Sequence, residues 1–309
     1  MIEISNVTKN YGTRVAVDDI SFNVDQGEIV GFLGPNGAGK TTTMRMVTGY
    51  LMPTAGTVSV AGHDMRTDSL AGRRRIGYMP EIVPLYTDMT TRSYLDYVAR
   101  LRGVEPRAVG GQIDKVVGLC HLEEYVDTIL AKLSKGYRQR VGLAQAVIHE
   151  PDVLILDEPT VGIDPIQVAQ TRSLITELGR NRTILLSTHI LPEVSMTCER
   201  VIIIHQGRVV ARDRIDRLST MLEGASRMRL VIEGPADEIS RELESIDSIG
   251  GVTYDEPHHV VTFSPDEPPH AAITETVVRR GWTLRVMSPV EMSLEEIFLN
   301  LTTEETTSA

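Results

Sequence analysis

Apolar and polar positions alternate over residues 2–8 and 15–24, the pattern of half-buried antiparallel strands. From residue 28 the pattern changes to short continuous apolar runs at Ile29–Leu33, 153–156, 183–187 and 201–205, as in buried parallel strands. Helical stretches separate them; in 166–180, for example, Val168, Ile175 and Leu178 share one face. This alternation predicts an α/β fold, a sheet covered by helices on both sides, with an antiparallel N-terminal subdomain. Residues 91–150 read as mostly helical, with Leu95, Val98 and Leu101, then Ile113, Val116 and Leu119, at helix spacing. They predict a helical insertion spanning about 85–150. Beyond 216–222 the order becomes strand 227–233, helix 235–247, strands 251–255 and 259–264, helix 268–280 and strand 282–288. That β-α-β-β-α-β order predicts a small α+β ferredoxin-like domain. A last helix is expected over 293–301, capped by Ser293 with Glu295 and Glu296 in its first turn. The expected divisions are a first domain over 1–220, a second over 221–302, and a disordered polar tail over 303–309.

Chemistry enters at the turn after the first apolar run. Gly34-Pro35-Asn36-Gly37-Ala38-Gly39-Lys40-Thr41 fits the phosphate-cradling loop, and it sits between the strand 28–33 and a helix over 41–48. Met44 and Val47 give that helix its apolar face. Backbone N–H groups, a helix dipole and glycines that permit close approach together make an anion site. Lys40 would reach the outer phosphates and the Thr41 hydroxyl would take Mg²⁺, with Thr42 beside it. A nucleoside triphosphate is the expected ligand.

Composition narrows the setting. The 309 residues carry a formal charge of -11, which argues against generic nucleic-acid binding. Arg73-Arg74-Arg75 is the one tight basic cluster, read as a solvated face. No apolar stretch approaches the roughly 20 residues that cross a bilayer, and the N-terminus lacks a signal-peptide pattern. Cys120 and Cys198, each expected in a helix, read as buried reduced thiols, so a cytoplasmic location is expected.

Three further segments carry candidate chemistry. Val153-Leu154-Ile155-Leu156-Asp157-Glu158 places two acids at the C-terminal end of an apolar strand, where ligands of open α/β sheets gather. Burying adjacent carboxylates is costly without a cation or hydrogen bonds. Asp157 suits a Mg²⁺ role and Glu158 the polarisation of an attacking water, while helix capping remains open for one of them. Ser134 is a good N-cap for a helix over 141–148, and with the Gly136 N–H it forms a second anion site. The strand from Thr183 ends in His189, placed to contact a γ-phosphate or its water; a structural histidine is the commoner case. Tyr11 offers a ring for stacking on adenine, while a core or surface tyrosine is the commoner case for one taken singly. His258-His259 lie on opposite faces of one strand, so a solvated pair is expected rather than a metal site.

Taken together, these motifs resemble the ATP-binding subunit of an ATP-binding cassette (ABC) transporter over about residues 1–220. Tyr11 matches the aromatic A-loop, 34–41 the Walker A loop, 133–137 the family signature, 153–158 the Walker B strand and catalytic glutamate, 159–165 the D-loop, and His189 the switch histidine. The resemblance implies the P-loop NTPase fold, ATP and Mg²⁺ as ligands, and catalytic roles for Glu158 and His189. It places Thr41, Asp157 and Glu81 around the metal. Two positions depart from the family. The signature reads Leu133-Ser134-Lys135-Gly136-Tyr137, which adds a positive charge, and the Q-loop position holds Glu81 in place of glutamine. These variants, and the ending Met292-Ser293-Leu294-Glu295-Glu296-Ile297-Phe298-Leu299, are similar to the exporter branch containing gliding-motility, daunorubicin-resistance and sodium-efflux ATPases.

The resemblance further implies partners: a second copy of the chain or a homologous ATPase subunit, meeting head to tail over ATP, and membrane permease subunits docking near residues 81–102. Peripheral attachment to the cytoplasmic face of the cell membrane follows from it. The alternative is a soluble ABC ATPase acting on ribosomes or DNA, which a single cassette, the absence of long coiled coils and the acidic balance disfavour. The second domain is open between a ligand-sensing module, a dimerisation element and structural padding.

Overall fold

In the computed structural model, residues 1–222, 226–264, 266–290 and 298 are described. They fall into two compact units, Met1–Ile215 and Asp216–Ala309. The first unit opens with the hairpin β1 (Ile2–Tyr11) and β2 (Arg14–Val24), then β3 (Ile29–Leu33) and α1 (Lys40–Val47). There follow β4 (Ala55–Val60), β5 (His63–Asp64), α2 (Ser69–Arg74) and β6 (Ile76–Met79). The expected insertion comprises α3 (Thr91–Leu101), α4 (Val109–Leu119), two short 3-10 turns and α5 (Lys135–Val147). The chain then alternates through β7 (Val153–Asp157), α6 (Pro165–Gly179), β8 (Thr183–Thr188), α7 (Leu191–Thr197), β9 (Arg200–His205) and β10 (Arg208–Arg214).

The main sheet has the order β10-β9-β3-β8-β7-β6, parallel except that β10 runs antiparallel to β9. A second, antiparallel sheet has the order β2-β1-β4-β5. Alternation along β3 explains the layering. Phe32 points to one face and meets Phe22 of β2, ring centroids 5.4 Å apart, while Gly31 points to the other, against Val194 of α7. Between the sheets, Met44, Met46 and Val47 of α1 join Ile4, Phe22, Val58, Ile155 and Ile202 in one core. That packing anchors the helix at whose N-terminus the glycine loop ends.

Several expectations shift. β4, β5, β6 and β10 were not predicted: β6 is only four residues long, and β10 reads Arg-Val-Val-Ala-Arg-Asp-Arg, polar because it is a half-exposed edge. Leu101 shares helix spacing with the buried Leu95 and Val98 but is 69% exposed, at the last residue of α3. Cys120 and Cys198 lie just beyond α4 and α7 rather than inside them; both thiols are free and buried, and burial pushes each up to about 12.

The second unit opens with α8 (Ile215–Leu222), from its second residue onward. It contains β11 (Ser226–Glu233), α9 (Ala236–Glu244), β12 (Ile249–Asp255), β13 (His258–Phe263), α10 (His270–Arg279) and β14 (Thr283–Pro289). Its sheet is antiparallel throughout, in the order β12-β13-β11-β14. Leu230, Val261 and Phe263 pack on Ile239 and Leu243 of α9 and Ile273 and Val277 of α10. The expected solvated histidine pair is corrected here. The two rings do alternate faces, but His259 is buried on the helical side, its Nε2 3.3 Å from the Ala236 carbonyl and its ring 4.6 Å from that of Tyr254. Burial holds its pKa below the usual histidine value. The last helix expected over 293–301 and the tail over 303–309 lie outside the described residues, save Phe298.

Candidate active site

The site is built where β3, β7 and β8 end side by side. Parallel pairing aligns Leu33 with Thr188 and Asp157 with Ser187, so the glycine loop, the acid pair and His189 emerge at one edge. The loop is tightly braced. Gly39 caps α1 at φ 112°, a conformation that L side chains rarely adopt, and a Cβ there would lie 2.8 Å from the Ala16 carbonyl. A Cβ on Gly34 would come within 2.3 Å of the Ile204 carbonyl. The Gly207 N–H donates to the Ala38 carbonyl at 2.9 Å, so the β9–β10 turn holds the loop from behind.

A cavity of about 660 Å³ opens over this edge. Its walls include Asn36, Gly37, Gly39, Lys40, Thr41 and Thr42 from the loop and first helical turn, together with Tyr11, Glu81, Glu158 and His189. Gly34, Pro35 and Ala38 are not on the wall and act by shaping the loop. Tyr11 is half-exposed at the rim, with the Lys9 ammonium 5.4 Å from its ring centroid. Arg14, Ala16 and Val161 also line the cavity and were missed from the sequence. Arg14 pairs with Tyr11 across the first hairpin, and only that pairing brings it to the rim.

Lys40 is buried at 6% exposure and reaches three oxygens: the Gly34 carbonyl at 2.7 Å, the Pro35 carbonyl at 3.3 Å and Glu158 Oε1 at 3.2 Å. The other oxygen of Glu158 lies 2.9 Å from His189 Nδ1. The tautomer with its hydrogen on Nδ1 is the one that can donate to this carboxylate oxygen, and it would leave Nε2 free to accept. Glu158 adopts φ +52°, and its N–H donates to the Ser187 carbonyl at 2.9 Å. A left-handed glutamate persists only where its surroundings hold it, and such residues concentrate at functional sites. Neither acid caps α6; Asp164 does, its carboxylate accepting from the Gln167 N–H at 3.0 Å.

Asp157 is fully buried behind the wall, and neither carboxylate oxygen has a hydrogen-bond partner of normal geometry. Burial raises its pKa, and the charges of Glu158 and Glu81 push the same way, against the nearby hydroxyls of Ser187 and Thr41. A buried orphan carboxylate next to a threonine hydroxyl and a second acid is the hard oxygen donor set that suits Mg²⁺. Ser134 caps α5 as expected, accepting from the Tyr137 N–H, but neither it nor Gly136 lies on the cavity wall. The Gln167 side chain sits directly over Gly136.

Comparison with known proteins agrees with this geometry. A protein-family model described as ABC transporter matches residues 17–161. The Nod factor export ATP-binding protein I of Paraburkholderia xenovorans is 34% identical over 312 residues, covering 98% of this chain and 97% of its own. The bacitracin transport ATP-binding protein BcrA of Bacillus licheniformis is 40% identical over 220 residues, 71% of each chain. Among solved structures, a dimeric ATP-binding cassette in a post-hydrolysis state with ADP and Pi superposes with a TM-score of 0.65 at 23% identity, covering 70% of this chain and 99% of that one, a likeness of fold. The chain therefore belongs to the ATP-binding subunits of ABC transporters, P-loop ATPases that bind ATP.

Proposed function

We propose that this subunit energises an exporter by closing head to tail with a second copy of itself, or a homologous subunit, over ATP. The observation that carries the reading is that the cavity holds only half of the expected phosphate ligands. The Gly34–Thr41 loop, Glu158 and His189 line it, whereas the capped α5 N-terminus at Ser134 and Gly136 lies off its wall. The missing half is supplied by another chain. Charge-assisted hydrogen bonds contribute about 1.5–3 kcal/mol each, so several formed only on closure are enough to drive it.

In this reading Tyr11 stacks on the base and Lys40 leaves the Gly34 carbonyl and Glu158 for the β- and γ-phosphates. Thr41, Asp157 and Glu81 would hold Mg²⁺, which when bound would supply positive charge against the developing phosphate charge. Glu158, relieved of Lys40, polarises the attacking water, and His189 orients its carboxylate from the other side. Hydrolysis removes the bridging phosphate and the pair reopens.

Among the described residues, no helix is long and apolar enough to cross a membrane. In this reading separate permease subunits carry the cargo, with this chain held at the cytoplasmic membrane face. A cleft beside the insertion supports docking there: Tyr50, Tyr86, Tyr97, Leu101, Arg45 and Arg102 line about 630 Å³, much of it exposed apolar surface. The name of one relative, Nod factor export ATP-binding protein I, supports the outward direction. The second unit, which begins at Asp216, is assigned as a ferredoxin-like accessory domain.

The test is Glu158→Gln at saturating ATP. It is expected to hydrolyse barely and to accumulate as a dimer by light scattering. Adding Ser134→Arg to that variant is expected to return it to monomers that still bind ATP. Dimer persisting in the double variant overturns the cross-subunit arrangement.

A further inference from the structure

One buried acid in the first unit has no place in the mechanism above. Glu193, in the first turn of α7, is 7% exposed, and no ion pair reaches it among the described residues. Its Oε2 instead accepts two hydroxyls, from Thr160 Oγ1 at 2.6 Å and from Thr188 Oγ1 at 3.3 Å, both themselves buried. These threonines come from different turns. Thr160 lies two residues beyond Glu158, in the turn closed by the Val161 N–H donating to the Glu158 carbonyl at 3.3 Å. Thr188 immediately precedes His189, and its hydroxyl accepts the Ile190 N–H at 3.1 Å, which shapes the turn carrying the imidazole.

We propose that Glu193 is a positioning residue for ATP hydrolysis, one carboxylate oxygen that ties the turn after Glu158 to the turn bearing His189. Burying a carboxylate without a cation is unfavourable, so its hydroxyl partners are what make the position tenable. The two tied turns deliver the side chains that meet at 2.9 Å in the cavity. They also hold Glu158 in its left-handed conformation. Cut the tie, and nothing in the phosphate loop changes, but the Glu158–His189 contact loses its common support. The inference rests on the catalytic roles assigned to that pair.

The experiment compares ATP affinity and kcat for the purified full chain and four variants: Glu193→Ala, Glu193→Gln, Thr160→Val/Thr188→Val and Glu158→Gln. Misplacing a reacting group by about 1 Å can cost on the order of 10²-fold in rate, so Glu193→Ala is expected to lose tenfold to a hundredfold in kcat, with ATP affinity unchanged. Glu193→Gln keeps a carbonyl oxygen able to accept both hydroxyls and is expected to retain most of kcat. The paired threonine variant should match Glu193→Ala and decides the matter if that variant does not fold. Wild-type kcat in the threonine pair, a Gln variant as slow as Ala, or kcat and affinity falling together would each overturn the proposal. Full turnover by Glu158→Gln would instead remove the assigned role of Glu158, while slow Glu193→Ala with Gln rescue would still place the tie on His189.

Discussion

The two units treat buried polar groups in opposite ways. The first buries Lys40, Arg140, Asp157, Glu158 and Glu193, several of them around one cavity. In the second, His259 and Thr276 are the buried polar side chains among the described residues, and Met228, Leu230, Val261, Phe263 and Ile273 make an ordinary apolar core. Buried charge is expensive and is retained where chemistry needs it. The first unit therefore carries strain and uncompensated charge for the sake of a reaction. In the second, the buried side chains are almost all apolar.

That contrast can be broken experimentally. The largest effect is expected from Glu158→Gln, where loss of a positioned base should lower kcat by on the order of 10²–10⁴-fold in a steady-state assay. Next is Leu230→Ala, fully buried in the second unit, which should cost about 2–5 kcal/mol in denaturant unfolding of that unit while kcat per folded molecule stays at the wild-type value. A fall in kcat there would show that the second unit takes part in catalysis. Lys40→Ala should weaken ATP binding by about tenfold to a hundredfold in calorimetry, from lost charge-assisted hydrogen bonds.

The smallest effect has the opposite sign. Asp157→Asn is expected to raise the Tm of the nucleotide-free protein, by about 2–4 °C per kcal/mol relieved. The sign follows from its raised pKa. The folded state holds the proton more strongly than the unfolded chain, so the ionised form is penalised in the fold at neutral pH. Lowering the pH through that raised value towards the ordinary carboxylate range should accordingly relieve the same penalty in the wild type and not in Asp157→Asn. Equal pH dependence in both would show that the carboxylate is compensated.

Much of the fold was legible because its signals are local. The runs at Ile29–Leu33 and 153–156 read as buried strands because every side chain in them is apolar, and β3 and β7 are covered on both faces. The elements that escaped were those with weak periodicity: β6 is too short for a pattern, and β10 is an edge strand whose ladder partner, β9, does the hydrophobic work. His259 was misread because strand alternation says that two neighbours face opposite ways, but not which way is inward. Helices α9 and α10 decide that.

For the site, the spacing of Gly34 to Thr41 and the acids after 153–156 determined which atoms are available for phosphate and metal, since a strand, a glycine turn and a helix start are local constraints. Tertiary structure alone decided how they meet. Parallel register sets Asp157 beside Ser187 and Leu33 beside Thr188, which brings Lys40, Glu158 and His189 within 3.2 Å contacts. Glu193 illustrates the limit. In the sequence it is an acid in the first turn of a helix, the ordinary place for one on a surface. Only the folding of two separate turns against α7 buries it and gives it hydroxyls to bind, because burial and long-range hydrogen bonds are properties of the packed chain and leave no periodic trace.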